Sequence, residues 1–241
     1  MEYQFGGDLR HYIKKEFYNI SWLNKLSHLS HINNGLRLIH EKDIIHRDFH
    51  SGNILVRTTR KNHPATLISD LGISKFASEV SDDNEIYGVI PYVAPEILQG
   101  KKYVKASDIY SFGTIMWEFM TGRNPFWDRP HDLKLIIDIC NGHRLPTNDI
   151  NVPEGYIELM KGCWDSDPNK RPTAVDIKDR LDKIMDAEKK NKTCINKSPE
   201  IGPVTESNHP KAIYSTRYVT DMIRSAISLK SSESLNLGKY L

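Results

Sequence analysis

The chain has 241 residues, 39% hydrophobic and 27% charged, with a formal net charge of +2 at pH 7. That is enough chain for one sizeable domain or two small ones of soluble globular composition, and the near-neutral balance excludes a strongly basic surface for nucleic acid or anionic membrane. The three cysteines form no CxxC pair, which points to reduced thiols in a cytosolic protein. The N-terminal MEYQFGGDLR lacks the pattern of a signal peptide, and the apolar run IYSFGTIMWEFM, interrupted by Glu118, is too short to span a bilayer.

Residues 8–18 read as a short helix opened by Asp8, and residues 21–41 as a longer one capped by Ser21. In the second, Trp22, Leu26, Leu29, Ile32, Leu36 and Ile39 recur at steps of three and four, the period of an amphipathic helix. Gly35 weakens it by about 1 kcal/mol relative to alanine. Ile54–Val56 and Ala65–Ile68 read as two strands joined by a polar hairpin loop that contains Pro64. Residues 70–94 have no clear period, and a loop of that length is uncommon unless functional.

The second half reads as helical. Residues 107–121 start at Ser107, end before Gly122 and have almost no polar face, so this helix belongs in the centre of the domain. Further helices are expected at 131–141, 154–164 and 173–187, the last capped by Thr173 with Asp176. From about residue 188 the chain turns polar and aperiodic, which reads as disordered linker. Residues 212–229 regain some apolar spacing at Tyr214, Tyr218, Met222 and Leu229; a helix, a docking segment and a loose tail all remain open.

One short stretch concentrates the chemistry. HRDFHSGNILV, residues 46–56, crowds His46, Arg47, Asp48, His50 and Asn53 into a loop between apolar flanks. It resembles the protein-kinase catalytic loop, H-R-D-L-x-x-x-N. Four more matches follow in family order: Asp70-Leu71-Gly72 for D-F-G, Ala94-Pro95-Glu96 for A-P-E, Asp108 to Gly113 for the start of the buried central helix, and Pro168 to Pro172 for the late arginine motif. MEYQFGGDL is similar to the hinge between the two kinase lobes. The resemblance covers residues 1–187 and leaves 188–241 as a tail. Its overall flavour is that of tyrosine-kinase-like kinases of the kind expanded in some fungi.

The resemblance implies a mainly helical kinase C-lobe with a small β-hairpin, the N-lobe sheet being absent, and ATP- and Mg²⁺-dependent phosphoryl transfer to protein hydroxyls, leaning to Ser/Thr. By the same resemblance Asp48 orients or accepts the hydroxyl proton, and Asn53 and Asp70 hold Mg²⁺ through oxygen ligands. Glu2 and Gln4 meet adenine through their backbones, Asp8 meets the ribose, and Leu55 lies under the base. Glu96 and Arg171 form a buried ion pair, Asp108 braces the catalytic-loop backbone, and His46 packs structurally. Arg47 would pair with a phosphate on the 70–94 loop, with Ser78, Ser81 and Tyr87 as candidate acceptors. The expected partner is a protein substrate or a scaffold partner, with no nucleic acid and no membrane, in the cytoplasm.

The sequence also departs from the family. His50 stands where serine/threonine kinases usually carry a lysine, and Val89 where its threonine partner usually lies. The 241 residues contain no Gly-rich phosphate loop, no V-A-I-K lysine and no glutamate to pair with it. Two readings are carried forward. One is a kinase whose other lobe is encoded upstream of an internal Met1, the 241 residues alone transferring phosphate poorly or not at all. The other is a non-catalytic binding module.

Overall fold

The computed structural model describes residues 5–58, 64–79, 85–147, 150–199, 201–204 and 208–237. In chain order the elements are β1 (Phe5–Asp8), α1 (Leu9–Glu16), α2 (Trp22–Glu41), β2 (Ile44–Ile45), β3 (Ile54–Thr58), β4 (Pro64–Ile68), β5 (Lys75–Phe76), β6 (Tyr87–Gly88), α3 (Pro95–Leu98), α4 (Lys105–Thr121), α5 (Leu133–Cys140), α6 (Tyr156–Cys163), α7 (Ala174–Lys190), β7 (Arg217–Tyr218) and α8 (Thr220–Leu237). The fold is mainly helical. Its strands form one three-stranded antiparallel sheet, β1-β3-β4, and two short pairs, β2-β5 and β6-β7.

The caps decide where the helices begin. Asp8 accepts the His11 amide at 2.8 Å and opens α1, and Ser21 accepts the Asn24 amide at 3.3 Å and opens α2. Thr173 and Asp176 bond reciprocally at the head of α7, at 2.9 and 3.2 Å. Helix α4 differs from expectation at its start. It begins two residues early, at Lys105, and Ser107 sits in the first turn, its hydroxyl accepting the Val104 amide at 3.2 Å. At its far end Gly122 takes φ 72°, the left-handed conformation that glycine adopts without a Cβ penalty.

Helix α4 is the spine: every residue from Ser107 to Thr121 is buried. The apolar stripe of α2 packs against it, with Trp22, Leu26, Leu29, Ile32 and Leu36 all 2% exposed or less. Gly35 is needed in α2 despite its helix cost. A Cβ there would lie 2.9 Å from Ile68 Cδ1, so glycine lets β4 of the hairpin close on the helix. Asn33 ties α2 to the head of α7, donating to the Ala174 carbonyl at 2.8 Å.

Helix α2 also buries charge. The Lys25 ammonium is fully enclosed, 3.7 Å from the Phe17 ring centroid and 4.9 Å from that of Trp22, with no hydrogen-bond partner. Burial lowers its pKa to about 7. A depression from the ordinary 10.5 corresponds to roughly 5 kcal/mol, of which the ring faces return about 2. Between pH 7 and 10.5 the unfolded chain holds a proton that the native state releases, so stability rises with pH across that window. Lys25→Met is therefore expected to stabilise the fold by about 3 kcal/mol at pH 7, the gain shrinking towards pH 10. Urea unfolding at both pH values checks this.

The segment after residue 188, expected as disordered linker, takes a different course. Helix α7 runs on to Lys190, and the chain then retraces the surface of the lobe. The Gly202 amide donates to the Thr121 carbonyl, the His209 amide to the Trp127 carbonyl, and the His131 amide to the Lys211 carbonyl. Residues 212–219 cross the face that carries HRDFHSGN, and α8 packs on α5 with Val219, Ile223 and Ala226 buried. The buried period is 219, 223, 226; Tyr218 and Leu229, on which sequence spacing rested, are 40% and 46% exposed.

Candidate active site

Residues 46–53 are held from below by the first turn of α4. The Asp108 carboxylate accepts the His46 amide at 2.9 Å and the Arg47 amide at 3.1 Å, and lies 2.9 Å from His40 Nε2. This clamp holds Arg47 at φ 71°, a left-handed conformation that costs a non-glycine residue about 1 kcal/mol. His46 Nδ1 accepts the Asp48 amide at 3.4 Å, which leaves its Nε2 hydrogen to the Ser69 carbonyl at 3.2 Å. His46 thus links the loop to the end of β4.

Asp48 is 5% exposed. Asn53 Nδ2 donates to its carbonyl at 3.0 Å and to its Oδ2 at 3.1 Å. His50 Nε2 lies 3.5 Å from its Oδ1. Burial alone would raise the Asp48 pKa, but hydrogen bonding and charge at His50, with hydrogen bonds from Thr216 and Asn53, outweigh it and hold the carboxyl below the ordinary value. Asp48 is therefore a carboxylate at neutral pH.

The hairpin brings up the other oxygen donor. Both the amide and the hydroxyl of Ser69 donate to the Asn53 carbonyl, at 2.8 and 2.9 Å, so the turn after β4 is stitched to the end of the 46–53 loop. Asp70, next along, is exposed and takes φ 58°, its Oδ1 accepting the Gly72 amide at 3.3 Å. With its side-chain nitrogen committed to Asp48, Asn53 has its side-chain Oδ1 left over, beside a hairpin end that carries a carboxylate. A hard cation that keeps several waters suits such a sparse oxygen set. Among the described residues no group of three or more His, Cys, Asp or Glu could hold a metal ion.

Asp8 and Leu55 face each other directly in the β1–β3 register. Asp8 spends one oxygen on capping α1, and its carboxylate lies 2.8 Å from His11 Nδ1. Glu2, Gln4 and Ser81 lie outside the described residues. His50 is turned inward: its Nδ1 accepts the Gly52 amide at 3.0 Å, and its ring lies near that of Tyr92. His50 and Val89 line the same small cleft behind Asp48. Arg47 stacks over Tyr103 and reaches the Ile73 carbonyl at 3.4 Å.

Sequence reasoning missed two parts of this site. Ser51 donates to Glu118 Oε1 at 2.9 Å and lies 3.0 Å from the Tyr92 hydroxyl, a buried polar chain that ties the 51–53 turn to α4. Burial pushes the Glu118 pKa up to about 7, and a glutamate in an otherwise apolar helix was the available signal. The second part is Thr216, whose hydroxyl donates to Asp48 Oδ2 at 2.7 Å and lies 3.2 Å from His50 Nε2. Nothing in its local sequence marks it.

A helical lobe that clamps an ionised aspartate beside an amide and a second carboxylate is arranged like the C-lobe of a protein kinase. A model of the protein tyrosine and serine/threonine kinase family matches residues 1–181, and the chain belongs to that family. It is 33% identical to the probable serine/threonine-protein kinase roco5 of Dictyostelium discoideum, over 75% of this chain and 7% of that protein. It is 28% identical to the ephrin type-A receptor 5 of Gallus gallus over 99% of this chain, and 32% identical to the ephrin type-A receptor 7 of the same species over 87%. The chain spans only 23% and 21% of those receptors. Among the described residues no helix is long and apolar enough to cross a membrane.

Proposed function

We propose that this lobe serves the transfer of the γ-phosphoryl group of Mg²⁺-bound ATP to hydroxyl groups of proteins, with serine and threonine preferred. One observation carries the reading: an ionised, clamped Asp48 already accepts a hydrogen bond from an aliphatic hydroxyl at 2.7 Å. That is the geometry a general base needs. The hydroxyl reaches Asp48 while its backbone neighbours pair with β6, a span that suits a short side chain.

Asp48 receives the hydroxyl proton as the oxygen–phosphorus bond forms and the bond to the ADP oxygen breaks. Asn53 and Asp70 hold Mg²⁺, which when bound neutralises charge on the phosphates. Asp8 and Leu55 supply the ribose contact and the floor under the base. His50 Nε2 steadies the acceptor oxygen. A cytoplasmic setting agrees with an ATP substrate and with free Cys140, Cys163 and Cys194.

The test is γ-phosphate incorporation from Mg²⁺-ATP into Ser/Thr peptides by the natural-length protein that carries these residues. Mg²⁺-dependent incorporation is expected. No incorporation, together with no Mg²⁺-ATP-induced rise in melting temperature, would overturn it. The histidine at position 50 in place of the usual lysine favours a binding module as the second reading, and that negative result would select it.

A further inference from the structure

We propose that residues 212–219 occupy the acceptor-peptide groove of this lobe in cis, with Thr216 at the acceptor position, and that the groove takes external peptides only when this segment leaves. The proposal rests on the reading of Asp48 as the acceptor base and names the occupant and sequence preference of that same site.

Contacts at Tyr214, Thr216, Arg217, Tyr218 and Val219 set the register. Tyr214, two residues before Thr216, seats its ring edge-on against His131 at 4.8 Å and under the Arg10 guanidinium at 5.1 Å, and its hydroxyl donates to the Pro125 carbonyl at 3.0 Å. Arg10 also donates to the Tyr214 carbonyl at 3.0 Å. Thr216 meets Asp48 and His50 as described. Arg217 and Tyr218 then pair antiparallel with Gly88 and Tyr87, the way an extended peptide adds a strand to an exposed edge. Arg217 also donates to the His131 carbonyl at 2.5 Å, and the Tyr218 ring lies edge-on to Tyr87 at 5.5 Å. Val219 is fully buried, and its amide donates to the Ile86 carbonyl at 2.9 Å. The pockets therefore read an aromatic residue, a gap, a hydroxyl residue, a basic residue, an aromatic and a buried aliphatic.

This segment is not simply part of the core. From residue 212 to Tyr218 it is bound through hydrogen bonds and ring contacts, whereas α8 beyond it packs on α5 with Ile223 and Ala226 buried. That anchor keeps the segment at high local concentration without holding Thr216 in place. The device is sensitive to charge at one atom. Thr216 Oγ1 lies 2.7 Å from a buried carboxylate, so a phosphate there, about −1.5 to −2 in charge, would repel Asp48 and eject the segment.

The test uses the full chain and no nucleotide, so a failure of phosphoryl transfer and a failure of occupancy are separately visible. Hydrogen exchange is followed in peptides covering 85–90, 212–224 and, as a fold control, α7. In the wild type the first two are expected to exchange slowly. In Thr216→Glu both should exchange at least about tenfold faster while α7 is unchanged. Tyr214→Ala, which empties the ring pocket without touching Asp48, should do the same and serves if the first variant loses α7 protection. In parallel, a fluorescein-labelled peptide of sequence KAIYSTRYVT should bind Thr216→Glu at least about tenfold more tightly than wild type, because only the open fraction binds. Protection at 85–90 and 212–224 that survives both substitutions, or equal peptide affinity for wild type and Thr216→Glu, would overturn the proposal.

Discussion

Replacing Asp48 with asparagine is expected to lower phosphoryl transfer by about 10²- to 10⁴-fold, the range for removing a general base, with little change in the KM for Mg²⁺-ATP. Asparagine has the same shape, and its carbonyl oxygen can still accept the hydrogen bonds that Asn53 and a hydroxyl now give to Oδ2. What it loses is the capacity to take the hydroxyl proton. A loss confined to kcat is the signature of an interaction made only in the transition state. The pH profile gives a second check. Interactions with His50, Thr216 and Asn53 hold the Asp48 pKa below its ordinary value. Asp48 therefore stays ionised below the ordinary carboxylate range, and the wild-type rate should show no acid limb from this group near neutral pH. Single-turnover kinetics across neutral pH measures both. A variant that raises KM while keeping kcat would place Asp48 in binding rather than in proton transfer.

The 46–53 loop was legible in the sequence because its chemistry is local. Asp48, His50 and Asn53 lie within six consecutive residues, and the Asp108 clamp follows from where the loop must meet α4. The helices were legible for a similar reason, since a cap and a 3.6-residue apolar period are short-range signals. Ser107 shows the limit. It has the composition of an N-cap, but its hydroxyl is drawn to Glu96 at 2.9 Å, and α4 starts two residues earlier than composition alone suggests. The course of the chain beyond residue 188 was not legible because backbone carbonyls and amides make most of its contacts. Those groups are the same in every residue and leave no trace in hydropathy. Thr216 was invisible for that reason: the strand pairing that positions it depends on a partner, Tyr87–Gly88, more than a hundred residues away.

The departures at His50 and Val89 gain a physical setting from the same geometry. A lysine in place of His50 would present a mobile ammonium; the imidazole instead has one nitrogen fixed by the Gly52 amide and the other aimed at the Asp48–Thr216 pair. Gly52 leaves room for this ring, since a Cβ there would approach His50 to 2.8 Å. With Val89 in the same cleft, no hydroxyl competes at that position for the hydrogen bonds of the loop.

The largest expected stability effect lies at the Glu96–Arg171 pair. Arg171 donates to both carboxylate oxygens of Glu96, at 2.8 and 2.7 Å, and also to the carbonyls of Ala106 and Asp165, both at 2.8 Å. Glu96 accepts a third bond from Ser107 at 2.9 Å. The pair is 4% and 6% exposed, so water cannot replace a lost partner. Glu96→Ala should destabilise the lobe by about 3–5 kcal/mol, because it strands a buried guanidinium. Replacing both residues with methionine should cost distinctly less, since the desolvation of two charges is then also removed. Urea unfolding of Glu96→Met, Arg171→Met and the double variant gives the coupling directly, and additive losses would mean that the residues act independently. The consequence reaches the site. Glu96 sits in α3, immediately after the stretch that carries β6, and β6 is the edge on which residues 217–218 are paired. Loosening Glu96 should therefore raise hydrogen exchange at 85–90 before the α2–α7 core opens, and an increase that appears first in α7 would show that the pair supports the core rather than the groove.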